Sequence, residues 1–458
     1  MIKLKHRTVC LACVLSVAAL PALADGTFEK TLPNGLKLIV KEDHRAPTVA
    51  HMVWYRVGAV DEVDGTTGVA HLLEHMMFKG TAKVGPGEFN RRVAEAGGRD
   101  NAFTNLDYTA YFQQVPKAKL GEMMALEADR MAHLKIDPKE YAKEIQVVME
   151  ERRMRTDDNP QSKVVEQLMA TAYTAHPYRR PVIGWMVDLE HMTAKDAQDW
   201  YHRWYAPNNA TLVVVGDVNK DEVWRLAEKT YGAVKAVKLP VRKFVGEPPQ
   251  EGIKRLVVKA PAELPYLVMG WKVPKLENVE KDREPYALEV LSGVLDGSDA
   301  SRLPKSLVRG SRVAVSAGSG YDPTNRGLSL FTLDGQPAEG HTVAELEKAL
   351  REEIQRIAKD GISAQELERV KTQVVAHQVF KRDSMFGQAM EIGSAEVIGF
   401  SWRDLERMVA RVKGVTADEV QAVAKKYFGD DSLTVAVLEP QPLEGKKPRP
   451  AAAGGHTH

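Results

Sequence analysis

The chain has 458 residues, 44% hydrophobic and 27% charged, which suits a folded protein of two to four domains. Its 63 basic and 62 acidic residues nearly cancel, to a formal net charge of +1. That balance supplies no global attraction for nucleic acid or for an anionic membrane, so neither is expected as a partner.

Lys3, Lys5 and Arg7 open the chain, an apolar run follows from Thr8 to Leu23, and Ala22-Leu23-Ala24 precedes Asp25. This pattern predicts a cleaved secretory signal peptide over 1–24. A membrane anchor is the competing reading, but the run is shorter than the ~20 apolar residues a span needs, and stable membrane insertion is not expected. Cys13 is a poor lipoprotein site, because Cys10 stands where an aliphatic residue is wanted. Cys10 and Cys13 are the only cysteines, so the mature chain has neither disulfides nor thiolate ligands. Any metal site must then use His and carboxylates. The expected location is the periplasm of a Gram-negative bacterium.

Two apolar strands, Leu36 to Val40 and Val49 to Val57, come next. The segment Gly68-Val-Ala-His71-Leu-Leu-Glu74-His75-Met-Met-Phe has helical character. His71 and His75 are four residues apart and share one helix face, where two imidazoles can hold one Zn²⁺. Glu74 projects nearby and can act as a general base toward water, then return the proton to a leaving amine. The H-x-x-E-H order is the inverzincin signature. A catalytic zinc site needs a third protein ligand. The helical stretch Glu144 to Glu151 offers candidates: Glu144 and Glu151 share a face, and Glu150 is turned about 100° away.

Further along, Tyr205-Ala-Pro-Asn-Asn-Ala-Thr-Leu-Val-Val-Val ends the first half. Tyr427-Phe-Gly-Asp-Asp-Ser-Leu-Thr-Val-Ala-Val ends the second, and Ile253–Val258 and Tyr266–Val273 repeat the early strand pair. This points to a duplication, with units at 25–240 and 253–440 joined by a Pro- and Gly-containing linker at 241–252. The composition of 441–458 predicts a disordered tail.

Several blocks together resemble the pitrilysin-type (M16) metallopeptidases. They are Gly58-Ala-Val-Asp-Glu62, the His71 segment through Thr81, Gly97-Gly-Arg-Asp-Asn101-Ala-Phe-Thr104, His176-Pro-Tyr-Arg-Arg-Pro-Val-Ile-Gly184 and Tyr205-Ala-Pro-Asn-Asn. The resemblance implies an α+β fold of two tandem homologous α/β-sandwich domains, mixed sheets with helices, forming half of a clamshell. It implies one zinc per chain, with Glu151 completing the ligand set of His71 and His75, and Glu144 supporting a ligand from behind. It also implies that peptides add as a strand along Asn101, Ala102, Phe103 and Thr104.

In the family, an Arg followed seven residues later by a Tyr grips substrate from the half opposite the zinc. Arg309 matches the Arg, but Val315 falls near the Tyr position; Tyr321 is a possible substitute. The resemblance thus implies a zinc metalloendopeptidase subunit, acting on extended peptides or small unfolded polypeptides. It also implies a second M16-like subunit, a heterodimer being favoured over a homodimer. A non-catalytic structural or peptide-binding subunit is the alternative.

Overall fold

A computed structural model describes residues 26–443. The expected signal peptide at 1–24 and residues 444–458 of the expected tail lie outside the described residues.

The first half begins with β1 (Thr27–Thr31), β2 (Lys37–Glu42), β3 (Thr48–Tyr55), α1 (Val69–Met76) and α2 (Glu88–Glu95). Next come β4 (Arg99–Thr104), β5 (Thr109–Pro116), α3 (Leu120–His133), α4 (Pro138–Arg152) and α5 (Pro160–Ala172). It closes with α6 (Met186–His191), α7 (Ala194–Trp204), β6 (Ala210–Gly216) and α8 (Lys220–Thr230). Residues 239–252 carry no helix or strand.

The second half starts with β7 (Lys254–Pro261), β8 (Tyr266–Val273), α9 (Glu284–Asp296), β9 (Ala314–Gly320) and β10 (Ser329–Pro337). It ends with α10 (Val343–Asp360), α11 (Ala364–Asp383), α12 (Met385–Ile398), α13 (Asp404–Lys413), α14 (Ala417–Tyr427) and β11 (Leu433–Gln441). Among the described residues no helix is long and apolar enough to cross a membrane.

The two sheets share a plan. The first has the order β1-β2-β6-β3-β5-β4 and the second β7-β11-β8-β10-β9. In each, the last strand of the half inserts into the sheet and pairs in parallel with an early strand: β6 with β2 and β11 with β7. The remaining pairings are antiparallel. Each sheet therefore ends on a strand paired on one side only: β4 in the first and β9 in the second.

Packing crosses the division between the halves. Strand β3 does not alternate; all but its first residue are buried. A strand apolar on both faces needs cover on both. One face packs in the first half's own core, with Val53 and Tyr55 against Leu72, Leu73 and Met76 of α1. The other face, with Met52 and Trp54, is covered by Ala389, Ile392 and Val397 of α12, from the second half. The exchange is reciprocal: Val164 and Leu168 of α5 cover Val258, Val268 and Leu438 on the second sheet. Polar ties reinforce it. Arg326 forms an ion pair with Asp61 (2.8 Å), and its backbone N–H donates to Asp107 at the β4–β5 turn (3.0 Å).

Candidate active site

Helix α1 carries His71, Glu74 and His75, and its start is built with unusual care. Gly68, the residue before it, has φ +88°, and a Cβ there would meet the Ile183 carbonyl oxygen at 2.6 Å. Glycine is required both by that conformation and by the close approach of the 183–184 backbone. Because glycine has no side chain to cap the helix, Glu62 does so from a distance. Its two oxygens accept N–H bonds from Gly68 and Ala70, each at 2.9 Å. This satisfies donors that a helix start leaves open.

Helix α4 begins at Asp137, whose side chain accepts from Lys139 N, with Pro138 in the first turn. It delivers Glu144 and Glu151 to the same side as the two histidines. Glu151 Oε2 lies 3.6 Å from His71 Nε2 and 3.4 Å from His75 Nε2. Ligands about 2.0–2.2 Å from a tetrahedral ion sit roughly 3.3–3.5 Å apart, so these spacings fit zinc. One ligand atom from each residue lies within 4.8 Å of the others, and among the described residues no other group of His, Cys, Asp and Glu meets this geometry. Glu151 Oε2 is also buried without a hydrogen-bond donor. A buried carboxylate oxygen aimed at two imidazole nitrogens is what a cation would complete.

Glu144 stands behind the set. His75 Nδ1 is 3.0 Å from Glu144 Oε1. An ionised carboxylate only accepts, so Nδ1 carries a proton toward it and Nε2 is the nitrogen that could meet a cation. Lys79 pairs with the other Glu144 oxygen at 2.5 Å. Burial works to lower His75, but the Glu144 and Glu151 carboxylates outweigh it and raise it to about 9. His71 moves the other way, lowered by burial and by its neighbour His75. The two carboxylates thus favour a positive charge beside them, a proton on His75 or a bound cation in its place, whereas His71 stays neutral more readily.

Glu74 faces the edge strand. Thr104 Oγ1 donates to Glu74 Oε2 at 2.6 Å. Burial raises the Glu74 carboxyl, and the Thr104 bond partly offsets this. A raised carboxyl is a better proton acceptor near neutral pH than a solvated one.

These groups line a cleft of about 840 Å³, together with Asn101, Ala102, Phe103 and Thr104 of β4. Ala102 is buried, Asn101 is exposed, and Phe103 and Thr104 lie between. Arg309 lies elsewhere, in a separate cleft of the second half. Val315 is 53% exposed on the edge strand β9. Tyr321 is tied into its own fold, donating to the Pro274 carbonyl at 2.7 Å and stacking on Phe331.

Among the lining residues that the sequence reading did not place at the site, two bear on its chemistry. Arg155 pairs with Glu151 Oε1 at 2.7 Å, and Oε2 is the oxygen that faces the two imidazoles. Its i,i+4 spacing from Glu151 was a usable signal. Tyr266 reaches the cleft from the second half, and nothing local in sequence marks it.

The fold, two tandem α/β units, is that of half of an M16-type clamshell. A family model described as "Insulinase (Peptidase family M16)" matches residues 37–185, and "Peptidase M16 inactive domain" matches 191–374. All the candidate zinc-site residues fall in the first of these. The chain is 32% identical over 423 residues to the zinc protease PqqE of Helicobacter pylori, covering 90% of this chain and 92% of that protein. The chain belongs to peptidase family M16. An uncharacterized zinc protease of Bacillus subtilis, YmxG, is 27% identical, with 90% of this chain and 97% of that protein covered. Among solved structures, a protease from Helicobacter pylori has a TM-score of 0.86 at 30% identity, over 90% of this chain and 99% of that one. The periplasmic protease PqqL of Escherichia coli shares the fold with a TM-score of 0.76 at 18% identity; the match covers 91% of this chain but 48% of PqqL.

Proposed function

We propose that this chain is a zinc metalloendopeptidase subunit that hydrolyses extended peptides or small unfolded polypeptides. The observation that carries the reading is the convergence of His71 Nε2, His75 Nε2 and the unpartnered Glu151 Oε2, on a cleft wall shared with Glu74 and β4.

His71, His75 and Glu151 would hold one Zn²⁺ per chain. Bound there, zinc would supply Lewis-acid polarisation of the scissile carbonyl and of water. Glu144 fixes the His75 ring and its tautomer. Glu74 accepts the proton of the attacking water and returns it to the leaving nitrogen. Strand β4 pairs only with β5, so its outer edge has unpaired N–H and C=O groups for a peptide backbone. Main-chain pairing at Asn101–Thr104 lays the peptide beside Glu74, because Thr104 holds that carboxylate.

The working enzyme is proposed to pair with a second M16-like subunit. PqqL carries about twice this chain's matched length, which supports a two-half assembly. Tyr321 spends its hydroxyl on Pro274, which favours a non-identical partner that supplies the substrate grip opposite the zinc. The N-terminal sequence and the periplasmic description of PqqL support a periplasmic location.

Fluorogenic peptide cleavage by the wild type and by Glu74→Gln, alongside metal analysis, tests the central claim. Loss of cleavage with zinc retained is expected. Equal rates in the two proteins would overturn the assignment of Glu74. Full activity from a homodimer of this chain would overturn the non-identical partner.

A further inference from the structure

We propose that a second cleft, in the second half, binds a compact oxyanion that presents two oxygens, a carboxylate or a phosphate. The cleft has a volume of about 940 Å³ and lies between the turn Pro304–Gly310, α10 and the first turn of α11. Five cationic side chains line it: Arg302, Lys305, Arg309, Arg356 and Arg369. Two carboxylates share the lining, Glu353 and Glu366, and a third, Glu352, lies 3.7 Å from Arg356 Nη2.

Both lining carboxylates are already engaged. Glu366 accepts from Arg302 Nε at 2.7 Å and Nη2 at 3.1 Å, and from the Ser363 backbone at 2.9 Å. Glu353 accepts from Arg356 at 2.7 Å and from the Ser306 hydroxyl at 2.6 Å. Arg309 donates to the Asp299 carbonyl, an uncharged partner. Lys305 and Arg369 have no acidic partner among the described residues. Against these three carboxylates the five cations keep an excess of two positive charges.

Arg369 carries the argument furthest. Its Nε and Nη2 are buried and have no acceptor. Those two nitrogens form one edge of the guanidinium, the edge that meets two oxygens of a carboxylate or phosphate through parallel N–H bonds. Charged donors buried without an acceptor are unfavourable, and an anion completes them. The first turn of α11, a 20-residue helix, contributes Gln365 to the same wall, and its dipole has the same sign. The edge is closed to solvent in this arrangement, so binding requires Arg369, which lines the cleft, to turn it toward the anion; Lys305 and Arg309 are already exposed.

The candidate zinc ligands all lie in the first half, so the two sites are tested separately. Calorimetry on the full Glu74→Gln chain, which removes the proposed base so that peptides stay intact, would use inorganic phosphate at constant ionic strength. It would also use two short peptides identical except for a free or amidated C-terminus. Saturable phosphate binding is expected, weakened at least tenfold by Arg369→Gln and by Lys305→Ala. Preference for the free-carboxylate peptide would assign the anion to a peptide terminus; phosphate binding without that preference would assign it to phosphate. Absence of saturable binding by both oxyanions, or binding unchanged in the variants, overturns the proposal. Should Arg369→Gln fail to fold, the exposed Lys305→Ala decides alone.

Discussion

Thr104 and Glu74 are joined by a 2.6 Å hydrogen bond that ties the edge strand β4 to the helix of the histidine pair. The residue that would pair with substrate backbone therefore also aims the proposed base. Thr104→Val keeps the shape and removes the donor. A bond to a charged acceptor contributes about 1.5–3 kcal/mol, so kcat should fall by on the order of tenfold or more. KM should change less, and Thr104→Ser should recover most of the loss. Steady-state kinetics that leave kcat unchanged for Thr104→Val would break the link.

Glu144 touches His75 but stands outside the proposed ligand set. Glu144→Gln should weaken zinc binding about 10–100-fold, as losses of such supporting partners do. Glu151→Gln should weaken it more, because it removes a ligand. Competition against a chromophoric chelator measures both, and equal affinities for wild type and Glu144→Gln would show that His75 needs no orienting partner.

Glu62 offers a separate handle on the same helix. Glu62→Ala leaves the Gly68 and Ala70 N–H groups buried without acceptors. The expected cost is about 1–3 kcal/mol for each such group. Urea unfolding should report it, and zinc affinity should fall too, because the start of α1 loosens.

Acid sensitivity should trace in part to Glu247. Its carboxylate receives the backbone N–H groups of Thr174, Ala175 and His176, and pairs with Lys272 at 2.9 Å. Burial pushes its carboxyl up, but these donors outweigh burial and hold it at about 2, below its ordinary 4.5. A depressed carboxyl stabilises the fold above its unfolded value, and that stability is lost as pH falls from about 4.5 toward 2. The contribution has an upper bound of about 3.4 kcal/mol, reduced by solvent screening. Stability measured from pH 7 to pH 3 should fall less steeply for Glu247→Gln than for the wild type, and parallel curves would refute the assignment.

Gly393 governs how α12 docks on the first sheet. A Cβ there would come within 2.0 Å of the Trp54 ring. Gly393→Ala gains about 1 kcal/mol of helix propensity. It should still destabilise by about 1–3 kcal/mol, because Trp54 is fully buried and cannot yield. Thermal unfolding and faster proteolysis between the halves would be the readouts. A stabilised variant would mean that α12 can shift without loss.

Much of the site was legible because its parts are local. His71, Glu74 and His75 sit within five consecutive residues, so helical spacing alone places them together. The repeated strand pairs and the two matching closing segments announced two similar sheets for the same reason. Glu144 and Glu151 needed the family resemblance, since periodicity puts them on one face but cannot say which way that face looks. Arg155 was accessible through its spacing from Glu151 and was passed over.

The remainder depends on contacts between residues far apart in the chain. That α12 covers β3 while α5 covers the second sheet follows from burying two-faced apolar strands, and no local pattern names the helix that does it. The reach of Tyr266 into the first half's cleft and the unpaired edge of Arg369 have the same origin. By itself the sequence determined the histidine pair, the glutamate between them and the doubled plan, because these rest on short-range periodicity. Only the tertiary structure decided that Glu151 Oε2 faces both imidazoles, that Thr104 holds Glu74, and that Arg309 belongs to a different cleft. Those relations are set by how α4, β4 and the second sheet pack, which depends on burial summed over the whole molecule.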